Sequence, residues 1–143
     1  MPVKLERIDF DTLKIDRHGE HVLLVTLDRP EASNAMNTQM GLDLVALLEE
    51  FAIDQYDLRC LVLTGQGEKA FCAGGDLDEL AAAGEAGPDA LEHIYAGFLA
   101  LAECPLPTFA AVDGPAVGAG LNLALAADVR IAGDTARFEP GFL

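Results

Sequence analysis

Apolar residues in this chain fall into two kinds of run, and their alternation predicts the architecture. Short, nearly unbroken apolar segments read as strands: His21–Asp28 around Val22-Leu23-Leu24-Val25-Thr26-Leu27, then Leu61–Thr64, Thr108–Val112 and Val129–Ala132. Phe10–Asp16 reads as a further strand, joined to His21–Asp28 by a turn at Arg17-His18-Gly19-Glu20. Between them lie segments with helical spacing. Met40, Leu44, Leu47, Leu48 and Phe51 recur behind a candidate N-cap at Asn37. Leu77–Ala83 is helix-like and stops at Gly84. A fresh start at Gly87-Pro88-Asp89, with proline at the first helical position, opens a helix over Asp89–Glu103 that Pro105-Leu106-Pro107 ends. Leu121–Ala127 is a short helix. Strands alternating with helices predict an α/β fold with parallel pairing through right-handed crossovers. No repeat, low-complexity tract or linker divides the sequence, so residues 1–143 read as one α/β unit.

Composition narrows the function classes. A chain of 143 residues, 51% of them apolar, is long enough to bury a core and too apolar to be disordered. Its 24 acidic against 9 basic residues give a formal charge of −15, which opposes nucleic acid and anionic membrane surfaces. The excess reads as a solvated acidic surface. Cys60, Cys72 and Cys104 form no C-x-x-C pair, and His18, His21 and His93 form no ligand cluster, so free thiols and no metal site are expected. Met1–Phe10 lacks the apolar stretch of a signal peptide, and Leu121–Ala127 is too short to span a bilayer; a cytoplasmic, soluble protein is expected.

Two glycine-rich turns carry the candidate chemistry: Phe71-Cys72-Ala73-Gly74-Gly75-Asp76 and Gly114-Pro115-Ala116-Val117-Gly118-Ala119-Gly120. Each follows a β-like run and opens a helix-like one, where backbone N–H groups are left unpaired at the positive end of a helix. Neither is a phosphate loop, since Gly65-Gln66-Gly67-Glu68-Lys69 fails that pattern, and Gly118-Ala119-Gly120 fails the dinucleotide pattern. Taken alone, either turn reads as glycine serving a tight bend. Taken together, they predict an oxyanion hole in which the Ala73 and Ala119 N–H groups point at one carbonyl oxygen. A glycine-to-proline change at Gly120, or any change that tilts the Ala119 N–H away, is expected to reduce activity without abolishing folding.

Three ordered motifs, spread over Leu27 to Asp128, resemble the crotonase (enoyl-CoA hydratase/isomerase) family in its N-terminal half. They are Leu27-Asp28-Arg29-Pro30-Glu31-Ala32-Ser33-Asn34-Ala35-Met36-Asn37, the run from Leu61-Val62-Leu63-Thr64-Gly65 to Ala70–Leu77, and Ala110–Gly120 followed by Leu123–Asp128. The resemblance implies a spiral of ββα units, truncated before the C-terminal helical region, that binds acyl-coenzyme A thioesters. It implies that Ala73 and Ala119 hold the thioester oxygen and stabilise an enolate, with Ala73, Gly74, Gly75, Asp76, Leu77, Gly118 and Ala119 lining the substrate site. Ser33 and Ala35 fall where family backbone cradles the adenine end of coenzyme A. No metal or redox cofactor is implied, coenzyme A being part of the substrate, and trimers or pairs of trimers are the family's common assembly.

The match departs from the family at the acids. Family hydratases use two glutamates, and aligned on Gly118-Ala119-Gly120 those positions fall on Asn122 and Phe142. An amide orients water but is no general base near neutral pH, and losing a positioned acid or base typically costs ~10²–10⁴ in rate. Hydration or double-bond isomerisation of enoyl-CoA is therefore read beside two alternatives: a non-catalytic acyl-CoA-binding or interaction subunit, and family chemistry of another kind such as decarboxylation or thioester hydrolysis. Of the nearby carboxylates, Asp76 and Asp78 read as helix-start residues, Asp128 as satisfying backbone at a helix end, and Glu139 as a turn or surface residue. Cys72, beside the hole but far from any histidine in sequence, reads as a packed, inert thiol. Family members run to nearly twice this length, and the chain ends inside a recognisable segment, so it reads as a fragment.

Overall fold

The computed structural model describes residue 5 and residues 8–141. Strands β1 (Leu13–His18) and β2 (Val22–Leu27) form an antiparallel hairpin. The chain continues through a 3₁₀ turn at Pro30–Ala32, helix α1 (Thr38–Ile53), β3 (Cys60–Gly65), α2 (Leu77–Ala83), α3 (Gly87–Ala102), β4 (Thr108–Val112), β5 (Pro115–Val117), α4 (Ala119–Ala126), β6 (Val129–Ala132) and β7 (Arg137–Glu139). Five strands make one sheet in the order β1-β2-β3-β4-β6, parallel beyond the first hairpin. Pairing of β2 with β3 and of β3 with β4 across intervening helices is the crossover pattern that the sequence predicted.

Local chemistry sets the element ends. Asn37 caps α1 by accepting the Met40 N–H at 2.9 Å, and Asp76 caps α2 by accepting the Glu79 N–H at 3.1 Å. Glu79 reaches across to the start of α1, accepting from the Thr38 N–H at 2.8 Å and from the Thr38 hydroxyl. The break expected between Gly84 and Pro88 is only a 3₁₀ turn over Gly84–Ala86, and α3 starts at Gly87. A proline in the first turn lacks an N–H that would be unpaired there anyway, so it does not interrupt the run.

Three expectations need correction. The first strand occupies Leu13–His18 rather than Phe10–Asp16, because the hairpin is tighter and turns at Gly19, whose φ is +65°. Second, Pro115–Val117 and Arg137–Glu139 pair in parallel as a second, two-stranded sheet that the sequence reading did not include. Third, Asp128 serves β4 rather than its own helix end: its carboxylate accepts from the Thr108 N–H at 2.9 Å and the Thr108 hydroxyl at 3.2 Å. Glu139 is exposed as expected but lies in β7, not in a turn.

The core fills the space between the sheet and helices α1 and α3, with Leu23, Leu27, Leu61 and Leu63 from strands meeting Met40, Leu44, Leu47, Phe51 and Ile94 from helices. Helices α1 and α3 approach backbone to backbone. A β-carbon on Gly41 would stand 2.1 Å from the His93 carbonyl oxygen, and one on Gly97 would stand 3.1 Å from the Gly41 Cα. Among the described residues no helix is long and apolar enough to cross a membrane.

Candidate active site

Two segments far apart in sequence are laced onto residues 71–76. On one side the Phe71 and Cys72 N–H groups donate to the Pro115 carbonyl at 3.1 and 3.2 Å, and the Val117 N–H donates to the Cys72 carbonyl at 3.0 Å. On the other side Ala73 donates to the Ser33 carbonyl at 3.1 Å, Met36 donates to the Gly74 carbonyl at 2.7 Å, and Asp76 donates to the Met36 carbonyl at 2.8 Å. The first and third sequence motifs thus clamp the second between them.

This lacing corrects the expected donor. Ala73 cannot offer its N–H to a ligand, because Ser33 already accepts it. In an extended segment successive residues face opposite sides. Gly74 and Asp76 flank Gly75 and both bond to Met36, so the Gly75 N–H turns away from Met36, and no acceptor among the described residues takes it.

The second residue expected to donate is Ala119. Ala119 is the first residue of α4, and its N–H is unpaired among the described residues, as helix geometry dictates. Gly118 precedes it with φ +55°, a left-handed conformation that side chains resist, and is tied to β7 by its N–H to the Glu139 carbonyl at 2.9 Å. Gly120, the second residue of α4, sits against the backbone of Cys72.

Gly75 and Ala119 line the same cleft of about 420 Å³. Leu77 and Leu80 of α2 and Leu91, Ile94 and Tyr95 of α3 form an apolar wall; Ala73, Gly74, Val117, Gly118, Asn122 and Gly141 complete the lining. Among the described residues no carboxylate lines it, and Asn122 and Tyr95 contribute polar side-chain groups. Developing negative charge there would therefore be met by backbone dipoles in an apolar surround, where such dipoles act most strongly. A larger groove of about 670 Å³ lies elsewhere, between the outer ends of α1 and α3, and contains neither glycine-rich turn.

Asp76 stands behind the donors rather than in the cleft. Burial pushes its carboxyl up, but the Glu79 N–H, the Arg29 guanidinium at 2.9 Å and the Asp78 N–H outweigh that and hold it below the usual range. Cys72 is buried, and burial pushes its thiol up to about 11 against the opposing pull of the Gly74 and Met36 N–H groups and Arg29. That agrees with a packed thiol rather than a nucleophile.

Of the other predicted residues, Gly74, Gly75, Leu77, Gly118, Ala119 and Asn122 come together around the cleft. Ser33 and Ala35 do not line it; their carbonyls are engaged by the Ala73 N–H and by Arg29 at 2.6 Å. Phe142 lies outside the described residues. His18 and His93 are exposed, and the His21 Nδ1 contacts the Asp57 carbonyl at 2.8 Å. Among the described residues no group of three or more metal-ligating side chains converges.

Sequence reasoning missed Asn34. It is fully buried at φ +55°, accepts from the Arg29 N–H at 3.0 Å and donates to the Gln66 and Ala70 carbonyls, each at 3.0 Å. It fastens the loop bearing Ser33 to the loop leading into residues 71–76. A polar residue in a turn-rich segment signals only a turn; its long-range partners are not visible in the sequence.

Comparison with known proteins gives the family. The model of the enoyl-CoA hydratase/isomerase family matches residues 17–143, and the chain belongs to that family. It is 48% identical over 131 residues to a probable enoyl-CoA hydratase, EchA14, of Mycobacterium tuberculosis, covering 91% of this chain and 49% of that protein. It is 39% identical over 127 residues to the (E)-benzylidenesuccinyl-CoA hydratase of Thauera aromatica, covering 84% of this chain and 46% of that protein. The crystal structure of an enoyl-CoA hydratase from Bacillus anthracis superposes with a TM-score of 0.83 at 34% identity, covering 88% of this chain and 49% of that one. The chain spans about half the length of the curated relatives it matches.

Proposed function

We propose that this chain supplies the oxyanion-binding part of an acyl-CoA enzyme that hydrates enoyl-CoA or shifts its double bond. The observation that supports this best is the pair of unpaired N–H groups, Gly75 and Ala119, on one apolar-walled cleft. A thioester carbonyl seated between them would accept two hydrogen bonds. As a proton leaves the α-carbon, or as water adds at the β-carbon, charge moves onto that oxygen and both bonds strengthen. The wall of Leu77, Leu80, Leu91 and Ile94 suits an apolar acyl chain, and Asn122 can orient a water without taking its proton. The family's wider pattern supports trimeric assembly and coenzyme A as the substrate's carrier group, with Ser33 and Ala35 near its adenine end.

A specific observation favours a second reading. Among the described residues no carboxylate lines the cleft, so a non-catalytic acyl-CoA-binding subunit fits the same geometry. Assay of the full-length protein on crotonyl-CoA and on 2,3- and 3,4-enoyl-CoA pairs, beside calorimetric titration with the same thioesters, separates the two. Turnover supports the enzyme; binding without turnover of any thioester supports the subunit; neither binding nor turnover sinks both.

A further inference from the structure

The Arg29–Asp76 pair does more than the capping of α2 requires. Asp76 Oδ1 caps α2 through the Glu79 N–H at 3.1 Å and needs no partner to do so. Its other oxygen, Oδ2, accepts from Arg29 Nη2 at 2.9 Å, while Arg29 Nη1 donates to the Ala35 carbonyl at 2.6 Å. Both side chains are largely buried, 17% and 16% exposed. One planar guanidinium therefore joins the residue just before Met36 to the residue just after Gly75. Those are the two segments whose pairing turns the Gly75 N–H away from Met36, and Gly75 lines the cleft.

We propose that Arg29 and Asp76 are positioning residues, a clamp that fixes the direction of the Gly75 N–H and so the polarisation of a bound thioester carbonyl. The inference rests on reading Gly75 and Ala119 as the oxyanion donors. A lysine holds the charge but lacks the fork that spans both acceptors. An asparagine at 76 keeps an N-cap acceptor but removes the charge that faces Arg29.

The test compares Arg29→Lys and Asp76→Asn with the wild type in the full-length protein. The probe is the coenzyme A thioester of 4-(dimethylamino)cinnamic acid, whose absorption moves to the red when its carbonyl is polarised; crotonyl-CoA serves for rate. The wild type is expected to shift the probe. Both variants should bind it with a smaller shift, and kcat should fall about 10- to 100-fold while KM changes little, since misplacement rather than lost contact is the cause. Full shift and full kcat in both variants overturn the clamp. So does a loss of rate that merely follows the folded fraction, measured by circular dichroism, with the folded protein still giving the full shift. A wild type that binds the probe without any shift overturns the oxyanion reading itself, and the clamp with it.

Discussion

Gly120 packs directly on the carbonyl of Cys72: a β-carbon at position 120 would stand 2.1 Å from that oxygen and 2.8 Å from the Cys72 β-carbon. The two glycine-rich turns are pressed together at this point. Gly120→Ala should therefore act on stability first, costing at least about 1–3 kcal/mol through forced backbone movement. The check is a thermal melt. An unchanged melting temperature in the alanine variant would disprove the contact.

Ala119 offers the cleaner test of the hole. It is the first residue of α4, a position that tolerates proline because its N–H makes no helical bond. Ala119→Pro removes that one donor and leaves the helix ladder intact. On the proposed function, kcat on an enoyl-CoA substrate should drop by ~10²–10³, with a melting temperature close to that of the wild type. Retained turnover would remove Ala119 from the mechanism.

Cys72 should resist alkylation. With its thiol pushed up to about 11 and fully buried, it is scarcely ionised at pH 8. Iodoacetamide treatment of the native protein, followed by peptide mass spectrometry, should label the half-buried Cys60 and Cys104 ahead of it. Cys72 should react only after denaturant is added.

Asp76 ties stability to pH with a definite sign. Its folded-state pKa lies below the ordinary aspartate value, so it stabilises the fold above the unfolded-state pKa and loses that contribution as pH falls through the folded-state value. Denaturation midpoints of wild type and Asp76→Asn should differ most near neutral pH and converge in strong acid. A gap that widens on acidification would contradict the direction of the shift.

The sequence revealed the elements whose cause is local. Asn37 and Asp76 cap the helices they were expected to open. Helical spacing alone does not tell which side of α3 is buried: that side runs through Ala90, Ile94, Gly97 and Leu101, while Leu91, Tyr95 and Leu99 are exposed. The sequence did not reveal β5 and β7, because three residues are too few for a period, and Pro115-Ala116-Val117 lies inside a glycine-rich turn. The site divides in the same way. Ala119 is a donor by virtue of being first in its helix, which sequence discloses. Gly75 is a donor because Ser33 and Met36 occupy its neighbours, and that pairing joins segments nearly forty residues apart. Counting along the motif chose Ala73; only the lacing distinguishes residue 73 from residue 75.

The close crossing of α1 and α3 has a bearing on the cleft, although it lies outside it. With about 100° of rotation per residue, His93 and Gly97 sit on the side of α3 opposite Leu91 and Tyr95, which line the cleft. Backbone touching backbone at Gly41 helps set where α3 stands. The bore of the cleft is thus gauged from behind its wall. A methyl group at position 41 would press α3 toward the cavity, narrowing it without altering any residue that lines it.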